Sequence, residues 1–200
     1  MNLLKKILVG GAITASAFLP MKGLAQEKEN SVQEKENHAF YYGYGGASII
    51  RMNNAALDEI FGAIFGMKGG FGINSGGLSR LELEAELFSK KDDSGDMELS
   101  GFNGGAYYDL VLNPIKSVFF YGGAGLKASS LILQAGSGVG MEQAKTSGIG
   151  YAARVGIEGQ IGGKSTIYLE FFYNDVSGSL EGESTNLSGS GATAGFRIGF

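Results

Sequence analysis

The residues with the clearest chemical potential in this sequence are three glutamates in strict alternation. Glu82, Glu84 and Glu86 are separated by Leu83 and Ala85. Neighbouring carboxylates can act as general acid and base when their environments separate their proton affinities. A helix would scatter these three around its circumference, whereas a strand lines them up on one face. Because they belong to a regular row with no loop around it, we expect a structural role rather than catalysis.

Other catalytic and metal-binding patterns are missing from the sequence. The chain has no cysteine, which removes disulfides, thiol chemistry and cysteine-based metal sites. Its only histidine, His38, lies in a polar segment near the N-terminus. No phosphate-binding loop, metal-ligand cluster or nucleophile elbow occurs. We therefore predict that the protein is not an enzyme and uses no metal or cofactor.

Length and charge limit the functional classes to which this protein can belong. The chain has 200 residues, which suits one domain, and its 35 glycines follow no collagen-type period. Three of the 16 lysines and arginines lie in residues 1–25, which leaves 13 basic against 20 acidic residues, a net charge of −7. Nucleic-acid binding needs basic patches that contact phosphate, so an acidic chain argues against it.

Residues 1–25 have the three-part layout of a secretory signal. A short basic start precedes the apolar run ILVGGAITASAFL, and Gly23 and Ala25 supply small residues before a cleavage site. The run is too short to cross a bilayer of ~30 Å as a helix, which disfavours the alternative of a membrane anchor. We predict export beyond the inner membrane. Residues 26–39 carry the pentapeptide QEKEN twice and are predicted to form a polar, solvated tether.

From residue 40 onward, apolar residues alternate with polar or small ones in eight stretches. These run over about 40–51, 64–74, 81–87, 100–112, 117–131, 146–161, 165–175 and 187–200. Three tight turns alternate with four longer connections, at residues 52–62, 89–97, 133–145 and 176–186. Short turns at one end and longer loops at the other are typical of outer-membrane barrels. We predict that residues 40–200 form an all-β domain, an eight-stranded antiparallel up-and-down transmembrane β-barrel with short periplasmic turns and four longer extracellular loops.

The two faces of each predicted strand differ in polarity. In the seventh stretch, Ile167 and Leu169 alternate with Tyr168 and Glu170. A soluble, lipocalin-like barrel would bury its apolar face and expose its charges. Here the charged residues occupy the same alternate positions as the glycines, that is, they share one parity, and the other positions are apolar. We therefore expect the apolar face to be the outer one and to contact lipid. In the fourth stretch the alternation of apolar and polar residues is interrupted near residue 99, which predicts either that the strand starts later or that a bulge lies near Gly101.

The charged residues of the inner parity form a predicted lumen network. The interior of an eight-stranded barrel is just wide enough for side chains to fill it, so charges there must pair. The set contains four basic and six acidic residues: Lys68, Glu82, Glu84, Glu86, Asp109, Lys127, Arg154, Glu158, Glu170 and Arg197. We predict a structural network that blocks flow, in which Arg197 meets Glu82, Glu170 or a neighbour. A polar conduit for ions is the alternative.

The chain ends on an aromatic residue. Phe196, Ile198 and Phe200 share the outer parity of the last stretch. An aromatic at this position suits the membrane–water interface. The three also resemble the C-terminal signature that barrel-assembly machinery recognises in its clients, so we predict that they form an assembly signal.

Five stretches carry a family resemblance. They are RLELEAELF (80–88), GGAYYDLVLNP (104–114), FFYGGAGLKAS (119–129), GYAARVGIEGQI (150–161) and GFRIGF (195–200). They resemble the small eight-stranded outer-membrane proteins of the OmpX and OmpA-barrel type. The resemblance is closer to the surface antigens of the Msp2/P44/Msp4 and Wolbachia surface protein group, although the loops are shorter here and the QEKEN repeat is not a family feature.

The resemblance implies a porin-like surface antigen in the Gram-negative cell outer membrane. Adhesion, immune exposure and limited porin activity are the family roles. The partners would be outer-membrane lipids, the barrel-assembly machinery and host or cell-surface ligands, with no nucleic acid. The favoured interpretation is a barrel with a structural or partner-interaction role that works through its extracellular loops. The alternatives are a narrow porin for ions or small solutes and, less favoured because of the lone His38, a lipid-modifying barrel enzyme.

Overall fold

The computed structural model describes residues 39–75, 78–115, 117–136, 142–180 and 183–200. The predicted export signal and the tether as far as His38 lie outside these residues, so both stay predictions. Within the described part of the chain, no helix is long and apolar enough to cross a membrane.

The described residues form nine strands and one short helix. In chain order they are β1 (Phe40–Met52), α1 (Ala55–Phe61), β2 (Ile64–Ser75), β3 (Ser79–Lys91), β4 (Met97–Ile115), β5 (Val118–Ala135), β6 (Glu142–Gly162), β7 (Ser165–Leu180), β8 (Glu183–Asn186) and β9 (Gly189–Gly199).

The strands close into a barrel. From β1 to β7 each strand pairs antiparallel with the next one in the chain. β9 pairs with β7 on one side and with β1 on the other, where Tyr42 lies opposite Gly199 and Met52 opposite Gly189. No sheet edge is left open along this circuit, which is the arrangement that an up-and-down barrel requires.

β8 and β9 are two parts of one strand. Ser177 of β7 lies opposite Asn186 of β8, and β9 continues the same register further along β7. The Leu187 N–H donates to the Val176 carbonyl over 2.9 Å, which bridges the interruption at residues 187–188. The barrel therefore has eight strands, and the predicted fold class is confirmed.

The bounds of three predicted loops were wrong. β3 and β4 stay paired as far as Lys91 opposite Glu98, and β5 and β6 as far as Ala135 opposite Glu142. The connections at this end, called the loop end below, are residues 53–63, 92–96, 136–141 and 181–182. Backbone pairing continues past the last apolar residues, whereas the prediction ended each strand where the apolar alternation ended.

The outer face of the barrel is apolar. On β3, Leu83 and Leu87 are exposed while Glu82 and Glu86, on the other parity, are buried. On β4 the exposed apolar residues extend from Phe102 to Leu112. About ten residue steps of ~3.3 Å, tilted by ~40°, give a band ~25 Å tall, which is the height of the apolar band of outer-membrane barrels.

The inner face is not polar throughout. β4 begins at Met97 and keeps one register with β5 from Met97 opposite Ala135 to Leu112 opposite Phe120, so the predicted later strand start and the predicted bulge near Gly101 are both wrong. The parity break has another cause: apolar side chains turn inward near the loop end. They form one cluster, called the apolar layer below, made of Ile50, Met52, Leu57, Phe61, Ile64, Phe88, Leu99, Leu131, Leu133, Ala144, Phe172, Val176 and Leu187.

Helix α1 covers the apolar layer. The Asn54 side chain caps the helix by accepting from the N–H groups of Ala56 and Leu57, at 3.2 and 3.3 Å. Leu57 and Phe61 are buried in the layer. At the other end of the helix, Lys90 of β3 donates to the Phe61 carbonyl, which fixes the helix to the barrel rim.

We expect Leu133→Ala to destabilise the barrel by about 2–5 kcal/mol, because it loses apolar burial and leaves a cavity in the apolar layer. Leu133 is fully buried, whereas Leu126 on the outer face is 58% exposed. Leu126→Ala is the matched control, since lipid can fill the space that it leaves. Denaturant unfolding in lipid vesicles measures both. Equal losses of stability would show that the layer is not tightly packed.

Candidate functional site

The structure places all ten predicted lumen residues on the inner face of the barrel, each no more than 8% exposed. An eleventh charge, Arg80, is also buried there at 3% exposure. Arg80 shares the parity of Glu82 on β3, so the same alternation could have identified it. It was missed because the predicted strand began at residue 81, whereas β3 begins at Ser79. These five basic and six acidic residues are called the lumen network below.

Arg154 lies at the centre of the lumen network. Its Nε and Nη2 donate to the two carboxylate oxygens of Asp109, at 2.9 and 2.7 Å. Nη2 also donates to Glu82 at 2.6 Å, and Nη1 to Glu84 at 3.4 Å. The guanidinium stacks 4.0 Å from the centre of the Tyr107 ring. Its planar fork thus serves three carboxylates and an aromatic face at once, which lysine could not do.

Arg80 and Arg197 extend the network toward the short-turn end. The Nη1 atoms of both donate to the same oxygen of Glu158. The Nε of Arg80 donates to Asp109 at 2.8 Å, and the Nε of Arg197 donates to Glu82 at 3.2 Å. Asp109 and Glu158 are therefore each shared by two guanidiniums, and Glu82 by three. The predicted contact of Arg197 with Glu82 is present.

Two lysines extend the network toward the loop end. Lys68 donates to Glu170 and lies 3.2 Å from a Glu84 oxygen. Lys127 lies 3.5 Å from Glu86. This half of the network has three carboxylates for two ammonium groups, so it has one more negative than positive charge.

Neutral donors complete the coordination of the carboxylates. The Ser48 hydroxyl and the Asn103 amide donate to the two oxygens of Glu86, at 2.6 and 2.8 Å. The Tyr42 hydroxyl donates to Glu82 at 2.6 Å. A buried carboxylate that lacks enough cations can be stabilised by such bonds.

Inner-face glycines make room for the tyrosines of the network. A Cβ atom at Gly72 would lie 2.4 Å from the Tyr42 ring, and one at Gly156 would lie 2.3 Å from the Tyr121 ring. Neither distance is possible for real atoms, so these rings lie directly on glycine backbone. Glycines and charged residues therefore share one parity in the sequence because both face the lumen, where the tyrosine rings need the space that glycine leaves.

A small cavity separates the lumen network from the apolar layer. Its volume is about 10 Å³, which suits about one water molecule. Asn103, Ser129 and Asn174 supply its polar lining, and Phe88 and Leu187 are among its apolar neighbours. Among the described residues, buried side chains such as Asn103, Leu131 and Asn174 occupy the interior at this level.

The loop end carries an acidic rim. Among the described residues there, nine are acidic and four are basic: Asp58, Glu59, Asp92, Asp93, Asp96, Glu98, Glu142, Asp175 and Glu183, with Arg51, Lys90, Lys91 and Lys145. The β3–β4 turn is built on Asp92. Hydrogen bonds from the Ser94 hydroxyl and the Met97 N–H hold the pKa of Asp92 below its usual value.

The terminal aromatic row lies on the outer face. Phe196, Ile198 and Phe200 are 53%, 50% and 72% exposed. The Phe200 N–H donates to the Tyr41 carbonyl at 3.0 Å, which extends the β1–β9 seam to the last residue. Their role as an assembly signal stays a prediction.

Comparison with known proteins gives the fold but no family. No family model and no curated protein matches the chain. Neisserial surface protein A is similar in structure, with a TM-score of 0.61 and 16% identity over 82% of this chain and 99% of that one. OprG from Pseudomonas aeruginosa gives 0.59 and 13%, over 81% of this chain and 95% of that one. The fold is that of a small outer-membrane barrel.

The N-terminal β-barrel domain of OprF, also from Pseudomonas aeruginosa, is another structure of this fold. Its TM-score is 0.51 at 11% identity, with coverage of 80% of this chain and 97% of that one. The predicted resemblance to small eight-stranded outer-membrane barrels is therefore confirmed at the level of the fold. The finer resemblance to the Msp2/P44/Msp4 and Wolbachia surface protein group has no support from a family model.

We expect Arg154→Met to lower the free energy of unfolding of this barrel by about 3–5 kcal/mol, because it leaves buried carboxylates without their cation. Lys145→Met is the matched control. Lys145 is exposed and makes no ion pair among the described residues. Denaturant unfolding in vesicles measures both variants, and Arg197→Ala should lower the thermal midpoint in the same direction. A loss below about 1 kcal/mol for Arg154→Met would contradict a stabilising network.

Proposed function

We propose that this protein is a non-conducting barrel of the Gram-negative outer membrane that presents its acidic rim to partners outside the cell. The observation that carries the proposal is the filled interior. The lumen network, the apolar layer and helix α1 lie one above the other along the barrel axis. The interior therefore serves stability, and recognition falls to the exposed end.

The membrane position is supported by the outer face. Large apolar side chains are exposed around the barrel, with Phe65, Phe71, Leu110 and Phe171 each more than half exposed. Water would penalise such a continuous surface, whereas lipid favours it. The predicted export signal and the outer-membrane fold of the structural neighbours support the same position.

The alternative of a narrow porin is disfavoured by the packing of the lumen. An ion crossing the barrel would have to displace Arg154 from Asp109 and Glu82, where its hydrogen bonds are 2.6 to 2.9 Å long. It would then meet the apolar layer, where Leu99 and Leu133 are fully buried. Desolvating an ion in such a layer is costly.

A lipid-modifying enzyme is also disfavoured. The carboxylates of the lumen network are engaged by guanidinium and ammonium groups rather than facing a substrate cavity. Among the described residues, no group of three or more His, Asp or Glu side chains could hold a metal ion. We propose that the protein has no enzymatic activity.

The acidic rim favours partners that carry positive charge. Electrostatic complementarity mainly raises the rate and specificity of encounter. The strands that support the rim continue beyond the apolar band, so its turns project on paired backbone, with Lys91 still opposite Glu98. We propose host or cell-surface ligands with basic segments as partners, in keeping with a surface-antigen role.

We expect the refolded protein to be silent in planar-bilayer recordings, because both layers of the lumen are closed. The measurement compares the wild type with vesicle-only and heat-denatured samples. Uniform conductance steps in the wild type that change in Arg154→Ala but not in Lys145→Ala would overturn the proposal and support the narrow porin.

An epitope inserted between Ser94 and Gly95 should bind antibody on intact cells, because the β3–β4 turn belongs to the proposed external end. The matched control is the same epitope between Gly163 and Lys164, in a short turn at the opposite end. Antibody should reach this control only after the outer membrane is permeabilised. The reverse pattern would invert the proposed orientation.

Deletion of Phe200 should reduce barrel assembly in cells severalfold, because it removes the last residue of the predicted assembly signal. Heat-modifiable mobility of outer-membrane fractions measures the assembled barrel. Phe120→Ala is the control, since it removes another exposed aromatic from the outer face without changing β9. The purified deletion variant should still refold in detergent. Normal assembly in cells would exclude the signal role of Phe200.

A further inference from the structure

An outer groove lies on the lipid-facing side of β2 to β5, near the loop end. It has a volume of about 590 Å³. Its apolar walls are Phe65, Met67, Leu87, Phe102 and Ile132, and small residues, Ser89, Ser100 and Ser130, give it depth. None of these residues takes part in the lumen network.

Strand register explains how the groove arises. Across the outer face, Ser89 lies opposite Ser100, which lies opposite Ile132. One row further from the loops, Leu87 lies opposite Phe102, which lies opposite Ser130. Small side chains on neighbouring strands are therefore flanked by large apolar ones, and the barrel wall is recessed between them.

A second recess adjoins the outer groove. Its volume is about 420 Å³, and Ala128, Ser147 and Ile149 are among its lining residues. Phe102 and Ser130 line both recesses, so the Phe102 ring stands between them. Two adjoining recesses separated by one aromatic side chain offer one place for each acyl chain of a bilayer lipid.

The polar border of the groove suits a phosphate. Lys145 lies directly opposite Ile132, and Lys91 lies one row nearer the loops. The Lys91 ammonium is 3.9 Å from the Glu98 carboxylate, and Lys145 has no ion pair among the described residues. Within a rim that is acidic as a whole, Lys145 is therefore the exposed cation beside the groove that can contact a phosphate.

We propose that the outer groove and its neighbour seat one anionic, two-chain phospholipid of the surrounding membrane. Its acyl chains lie on either side of Phe102, and its phosphate lies near Lys145. The inference rests on the proposed position of the barrel in a membrane. It assigns a specific lipid site to a surface that would otherwise be an unselective apolar band.

The chain has no tryptophan, so a single introduced tryptophan reports the lipid at one position. The probes are Phe102→Trp, in the groove wall, and Tyr173→Trp, on the outer face of β7 near the same end as a control. Each is reconstituted in phosphatidylcholine vesicles with a small fraction of phosphatidylglycerol brominated on its acyl chains. Bromine quenches only a tryptophan that it touches.

Quenching at position 102 should correspond to a local enrichment of phosphatidylglycerol of about three- to tenfold, whereas quenching at position 173 should follow the bulk fraction. Ser100→Phe, which fills the groove, and Lys145→Gln, which removes the cation, should each return position 102 to the bulk value. Circular dichroism and heat-modifiable mobility check that each variant folds.

Several outcomes would overturn the proposal. Equal quenching at positions 102 and 173 would show an unselective surface. Sensitivity to Lys145→Gln without sensitivity to Ser100→Phe would show charge attraction without a seated chain. Quenching at position 102 below the bulk value would show that a second copy of the protein covers the groove. Absence of quenching at both positions would instead show that the barrel does not enter the bilayer, which would also exclude the proposed function.

Discussion

The interior of this barrel depends on the pairing of eleven charges that are held away from bulk water. An unpaired buried charge is far more costly than any single apolar contact is favourable. Arg154 and Asp109 lie on different strands, and their double hydrogen bond can form only when the barrel is closed in the correct register. A shift of one residue would turn every charge of a strand outward, toward the apolar band. The lumen network therefore specifies register as well as filling space.

The same constraint explains features that look unrelated in the sequence. The abundance of glycine on the inner parity follows from the tyrosines, since Gly72 and Gly156 make room for the rings of Tyr42 and Tyr121. Those rings in turn bring hydroxyl groups to the carboxylates, as Tyr121 does for Glu170 at 2.9 Å. The glycines, the tyrosines and the charged side chains thus depend on one another: the glycines make room for the rings, and the ring hydroxyls donate to the carboxylates.

Period-two alternation was sufficient to predict much of this structure. It gave the eight strands, their faces and the inner position of residues such as Glu82 and Arg197, because a closed barrel forces each parity to one side. It could not give the partners. Arg80 on β3 and Glu158 on β6 are 78 positions apart, and their contact across the lumen depends on the curvature of the closed barrel, which no local pattern encodes. The apolar layer was missed for a different reason: Leu99 lay before the predicted fourth strand and Leu133 in a predicted loop, because the predicted strands ended where the outer apolar alternation ended.

The position of the lumen network and the apolar layer inside the barrel also limits where a ligand can be recognised. Because the lumen network and the apolar layer fill the interior, the surfaces left for ligands are the acidic rim and the outer face. The described rim residues lie on or next to paired strands, as Lys91 opposite Glu98 does, so these residues would lose little conformational entropy when a partner binds. On the outer face, specificity requires a departure from uniform apolar relief, and the recess beside Phe102 provides one. In the proposed function, the charge of the rim would select partners in water, and at the proposed lipid site the shape of the outer face would select a lipid in the membrane.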